Sequence, residues 1–154
     1  MKPYYRPTEL ADVEYLSKNL SKKDQDELWA SLGMENYAAL SWSFFASKEC
    51  NTIIMPDNSV AGIFGISNPS KGVGCPWLMG TNRIPEITIP FLKQSRKWVE
   101  KQNNKYPLLM NYVDERNDVA IKWLSFLGFT FIKRIEEHGH GKVPFYQFVR
   151  IDNV

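Results

Sequence analysis

The chain has 154 residues, enough for one domain with a full core, and 44% apolar with 14% aromatic content excludes a disordered polymer. Its 19 basic and 17 acidic residues leave a net charge of +2, which provides no basic stripe of the kind nucleic acid requires. No run approaches the roughly 18 apolar residues of a membrane span, and "MKPYYRPTEL" has no apolar stretch like a signal peptide.

A cytoplasmic setting with reduced Cys50 and Cys75 is therefore expected; one disulfide is possible but nothing demands it. "YYRP" reads as a short strand, because Pro7 biases Arg6 toward extended geometry. Thr8 reads as the N-cap of a helix over 8–20, with Leu10, Val13, Leu16 and Leu20 at helical spacing. Ser21 caps a second helix, with Asp24 in its first turn and Gly33 as its stop. "ENYAALSWSFFAS" is a third helix, rich in aromatics.

The period then changes. "NTIIMP" and "SVAGIFGIS" are β-type runs joined by "PDNS", hence a hairpin, and "CPWLMG" is a further strand. Residues 88–104 read as a helix with Phe91, Leu92, Trp98 and Val99 inward and Pro90 in its first turn. "PLLMNYV" is a continuous apolar strand suited to the middle of a sheet. Asn117 opens a helix that Gly128 ends, and "FTFIKRI" and "PFYQFVRI" are two last strands joined by "EEHGHGKV". The order predicts an α/β (α+β) fold in one domain, 1–154: a mixed, mostly antiparallel sheet of six to seven strands with helices on both faces.

Within "NDVAIKWLSFLGFTF", Asn117, Ala120, Gly128 and Phe129 stand at a spacing that resembles the GNAT acetyltransferases, as does "RPTELADVEYL" near the N-terminus. This resemblance implies central strands that splay apart, and an acetyl-CoA site between them. Residues 49–135 further resemble the internal virion protein A family of short-tailed phages, through "ECNTIIMPDNSVAGIFG", "CPWLMGTNRI" and "LLMNYVDERNDVAIKWLSFLGFTF". That resemblance implies a protein of the infected bacterial cytoplasm or of the virion, with phage or host proteins as partners.

The GNAT resemblance places the coenzyme pyrophosphate after the fourth strand, on a glycine-rich loop whose amides cradle the phosphates. Here that place reads "GTNRIPEITIPF". No glycine lies between Gly80 and Gly128, Pro85 and Pro90 have no N–H, and Glu86 brings a negative charge. Arg83 could still meet a phosphate. The candidate coenzyme-binding residues are Leu78, Gly80, Thr81, Asn82, Arg83 and Asn117; no cofactor is expected, or acetyl-CoA if the chain is an active transferase. The Tyr that returns a proton to the leaving thiolate in many relatives is matched by Leu124, beside Trp123; Tyr112 and Ser125 are substitutes. Glu49, Asp114 and Glu115 are candidates for a general base, with solvated-turn roles the simpler reading for the last two.

Other signals carry less. Cys75 has no histidine near it in sequence. His138 and His140 lack a third ligand at metal spacing, so no metal is expected. Lys93, Arg96, Lys97, Lys101 and Lys105 read as the solvated face of a helix, and most tryptophans as core. Tyr37, Leu40, Trp42, Phe44 and Phe45 cover more than one helical side and form the best candidate for an exposed docking face.

Overall fold

The computed structural model describes residues 2–152. The order is β1 (Tyr4–Pro7), α1 (Leu10–Asn19), α2 (Lys22–Leu32), α3 (Asn36–Ala46), β2 (Glu49–Ile54), β3 (Val60–Ser70), β4 (Val73–Gly80), α4 (Ile89–Lys105), β5 (Leu108–Asp114), α5 (Asp118–Phe126), β6 (Thr130–His138) and β7 (Val143–Ile151). One 3₁₀ turn, Ile84–Glu86, lies between β4 and α4. The seven strands form one sheet in the order β1-β2-β3-β4-β5-β7-β6, antiparallel except for β4 and β5.

Local chemistry sets most boundaries as expected. Ser21 accepts the Asp24 N–H at 3.3 Å and Gly33 ends α2 at φ 66. Asn117 accepts the Ala120 N–H, and Gly128 follows α5 at φ 90, a conformation a Cβ disfavours. Thr8 is not the cap of α1. Glu9 takes that place because the Asp12 carboxylate accepts the Glu9 N–H at 2.9 Å, while Thr8 Oγ1 accepts from Thr52.

Helices cover both faces. Val13, Leu16, Leu28 and Leu40 of α1–α3 pack with Ile63 and Met79 on one side. Trp98 and Val99 of α4 pack on the other with Leu109, Val113, Phe129 and Phe148, where α5 also leans. Leu92 is only half-buried. Of the tryptophans, Trp98 is core and Trp77 and Trp123 are half-buried, but Trp29 and Trp42 are 55% and 58% exposed, against the expectation for most. Trp29 lies on α2 and Trp42 on α3.

The feature that positions a site is the gap between β4 and β5. These strands pair only at Val73–Leu108 and Gly74–Leu109, then separate toward Gly80 and Asp114. Asn111 bridges the start of the gap, donating its Nδ2 to the Pro76 carbonyl at 3.0 Å.

Candidate functional site

The gap opens into a cavity of about 340 Å³ that passes through the sheet. On the α4–α5 face it is walled by Ser95, Trp98, Ala120, Trp123, Leu124 and Leu127; on the other face by Glu27, Leu28, Ser31, Trp42, Trp77 and His138. Leu78 forms part of its β4 wall. Gly80 turns its N–H to Asp24 and its C=O to Ser21, and Pro76 turns its C=O to Asn111. Leu78 lies between them on the same strand edge, so its N–H and C=O point into the gap by the alternation of a strand.

A smaller cavity of about 230 Å³ adjoins the loop after β4. It brings together four of the sequence-derived candidates, Leu78, Thr81, Asn82 and Asn117, with Asp24 and Trp123. Gly80 and Arg83 behave differently. Both polar groups of Gly80 are bonded to α2 and its N-cap, as above. Arg83 is clasped by acids: it donates to Glu86 at 3.2 Å from two nitrogens, to Asp57 at 2.5 Å and to Ser59 at 2.6 Å. The bonds to Glu86 and Asp57 raise its proton affinity further. Two carboxylates around one guanidinium leave this trio net negative, while Lys22 and Lys23 stand on the wall of the smaller cavity.

The loop amides are turned inward as well. The Thr81 N–H donates to Ala61 O, Arg83 to the Thr81 hydroxyl, Ile84 to Thr81 O, Glu86 to Arg83 O and Ile87 to Ile84 O. Pro85 has no N–H, and Pro90 removes another from the first turn of α4. Among residues 81–88 the Asn82 and Thr88 N–H groups have no partner among the described residues, nor do those of Ile89 and Phe91 in the first turn of α4. A phosphate nest needs several convergent amides.

The catalytic candidates from the sequence mostly fall elsewhere. Glu49 accepts from Trp98, Gln102 and Asn51; burial pushes its proton affinity up, but these bonds outweigh it and hold it below the usual range. Glu115 pairs with Arg134 and Tyr146 at the surface, and Arg134 first among these lowers it. Asp114 is buried and clasped by Arg116 at 2.6 Å. Ser125 donates to the Ile121 carbonyl and is exposed. Tyr112 does line the large cavity, stacked on His138 at 4.5 Å.

His138 and His140 part company: His138 meets Tyr112 and Phe145, and His140 meets Trp29. No group of three metal-ligating side chains occurs among the described residues. Cys75 borders the large cavity, with its thiol pushed up by burial. On α3, Tyr37, Trp42 and Phe45 are exposed, while Leu40 is buried and Phe44 half-buried. No helix among the described residues is long and apolar enough to cross a membrane.

One group was missed by the sequence reading. Asp24 and Glu27 of α2 are buried where the two strands part. Asp24 accepts from the Gly80 N–H and Asn117 Nδ2, both at 2.8 Å; Glu27 Oε1 accepts from the Asp114 N–H at 3.0 Å and Asn117 Nδ2 at 3.2 Å. Burial, then the charge of Asp24, pushes Glu27 up to about 8, and burial raises Asp24. Glu27 also lines the large cavity. The signal was present in the spacing: Asp24 and Glu27 share a helical face with Leu28, so acids stand on an apolar stripe.

The sequence matches no family model and no curated protein. Solved structures match nearly the whole chain. A GNAT-family acetyltransferase from Bacillus anthracis aligns with TM-score 0.70 at 9% identity, over 99% of this chain and 96% of its own. A phosphinothricin acetyltransferase from Sinorhizobium meliloti, in complex with AcCoA, gives 0.71 at 11%, over 99% and 90%. A spermidine N-acetyltransferase from Vibrio cholerae, in complex with CoA and spermine, gives 0.67 at 11%, over 98% and 96%. At such identities the likeness establishes the fold: this chain has the GNAT fold.

Proposed function

We propose that this protein uses the GNAT fold for protein contacts and not for acyl transfer, as an assembly or early intracellular protein of a short-tailed phage. The observation that carries the proposal is the loop after β4. The amides of Thr81, Arg83, Ile84, Glu86 and Ile87 are satisfied within the loop or by β3, and its one arginine is held by Asp57 and Glu86. A coenzyme diphosphate arriving there would meet two carboxylates, and of the loop's amides only those of Asn82 and Thr88 are free among the described residues. Each charge-assisted hydrogen bond not formed forfeits roughly 1.5 to 3 kcal/mol, so losing two or three weakens binding by several orders of magnitude. Leu124, which has no proton to give, stands where many relatives have Tyr. The phage assignment rests on the resemblance across residues 49–135, and the exposed Tyr37, Trp42 and Phe45 of α3 supply an aromatic face for a partner. The setting is then the cytoplasm of an infected bacterium, or the particle.

The test is a gain of function. Residues 83–88 are replaced by a glycine-containing phosphate loop and acetyl-CoA is titrated by calorimetry. Affinity that appears only in the graft supports the proposal. A graft that folds and binds no better than the parent refutes the idea that this loop is what prevents binding.

A second reading, an acetyl-CoA-dependent N-acetyltransferase, is favoured by one observation: the through-sheet cavity with the free strand edge at Leu78 and the carboxyl of Glu27 on its wall. An enzyme of this kind would release CoA thiol in the presence of an amine acceptor, and Arg83→Ala would weaken its coenzyme binding if Arg83 leaves its acids for the phosphate. Unchanged binding and turnover in Arg83→Ala would remove Arg83 from that site.

A further inference from the structure

The sheet ends at β6, and no strand pairs with its outer edge among the described residues. At nine residues this edge is long, and proteins commonly blunt such edges with charges that repel a newcomer. The charges of β6 are arranged differently. From Ile135, Arg134 and Lys133 lie to one side and Glu136 and Glu137 to the other. An antiparallel copy turned about Ile135 sets Lys133 against Glu137 of the second copy and Arg134 against its Glu136, and the two-fold axis repeats both pairs.

The backbone favours the same axis. On β7, Pro144 faces β5, since its carbonyl accepts the Glu115 N–H at 3.2 Å. By alternation Tyr146 faces β5 too, while Phe145 and Gln147 face β6, opposite Ile135 and Lys133. Ile135 and Lys133 therefore direct their backbone groups inward, and Arg134 directs its N–H and C=O to the open edge. An axis at Ile135 sets the outward N–H and C=O of Arg134 opposite Glu136 of the second copy. Axes at Lys133, Arg134 or Glu136 each set a charged residue against its own copy. Register shifts at Ile132 and at residues 136–137, opposite Pro144, confine the regular ladder of β6 with β7 to Lys133–Ile135 between them.

We propose that β6 pairs antiparallel with β6 of a second copy about Ile135, joining two sheets in a dimer. Lys133 and Glu137 decide the pairing. Both are exposed, and neither makes an ion pair in its own chain among the described residues, whereas Arg134 is held by Glu115 at 3.0 Å. The proposal does not depend on whether the coenzyme loop works, since β6 lies at the far end of the sheet order from β1 and two strands from β4's neighbour.

The experiment is a charge cycle read by light scattering across a concentration series. The wild type moves from 17.9 kDa toward twice that mass. Lys133→Glu and Glu137→Lys each raise the dissociation constant at least about tenfold, because two attractive cross-strand pairs become repulsive. The double variant, in which the palindrome is restored with signs reversed, dimerises like the wild type, and the two single variants mixed pair with each other. In parallel, Ile135→Cys sits on the axis with a Cα separation of about 4.5 Å and closes an intermolecular disulfide on mild oxidation, while Ile132→Cys does so far more slowly. A wild type that stays at 17.9 kDa throughout overturns the proposal. So do single variants that dimerise unchanged, or a double variant that does not recover.

Discussion

Replacing Glu27 with Gln removes a proton that the fold binds far more tightly than the unfolded chain does. In the unfolded chain this carboxyl titrates near its ordinary 4.5, and in the fold near 8. Between those values the folded state holds the extra proton, so rising pH favours unfolding. The associated stability is intact below pH 4.5 and is lost by the time pH passes 8. At about 1.4 kcal/mol for each unit of separation, the full span amounts to about 4 to 5 kcal/mol. Asp24, also raised, adds to the slope with the same sign. Gln is neutral at every pH and can keep accepting from the Asp114 and Asn117 donors through its carbonyl oxygen. Wild type and Glu27→Gln should therefore be close in stability at pH 5 and diverge steadily, with the variant more stable by a few kcal/mol at pH 9. The assay is urea denaturation followed by circular dichroism at intervals across that range, with the midpoint compared at constant slope. Parallel curves for the two proteins would show that Glu27 is ionised in the fold at neutral pH, and that the buried cluster between β4 and β5 is wrongly described.

Asn117→Ala removes the cap of α5 and the amide that serves both Asp24 and Glu27; about 3 kcal/mol should be lost, read from the same denaturation midpoints, and a loss below 1 kcal/mol would mean the amide is replaceable. Gly128→Val should destabilise by about 1 kcal/mol or more, since a β-branched residue is poor at φ 90 and its Cβ would press on Arg150 at 3.1 Å; melting at the wild-type temperature would contradict this. Asp12 is held below the usual carboxylate range: burial raises it, but the Arg6 pair and the Glu9 and Thr52 bonds prevail. Its contribution is present above about pH 4 and lost as pH falls, so Asp12→Asn should flatten the acid limb of the stability curve; an unchanged acid limb counts against the Arg6–Asp12 pair.

The parts that were legible in the sequence are those decided within a few residues. Ser21, Gly33, Asn117 and Gly128 mark helix ends by their own chemistry, and the turn before Ser59 is set by "PDN", with Asn58 at φ 68. The splay of β4 and β5 followed from the crossover order and the resemblance together. What was not legible depends on partners far along the chain. Arg83 reads as a free cation, but its Asp57 lies 26 residues away across the β2–β3 turn. Asp24 reads as an ordinary first-turn acid and Glu27 gives no signal of its own, and only the packing of α2 onto the strand tips, 56 and 87 residues distant, buries them. Thr8 lost the cap of α1 to Glu9 because Asp12 reaches back to the Glu9 N–H and also binds Arg6 and Thr52, a choice made by β1 and β2 together.

The direct test of the central claim is calorimetric titration of the unmodified protein with acetyl-CoA at low ionic strength, where charge attraction is strongest. With Arg83 held by Asp57 and Glu86 and five of the loop amides turned inward, no saturable heat should appear at micromolar ligand. A micromolar dissociation constant, reproduced with CoA and lost in Arg83→Ala, would contradict the account and establish a working coenzyme site on this loop.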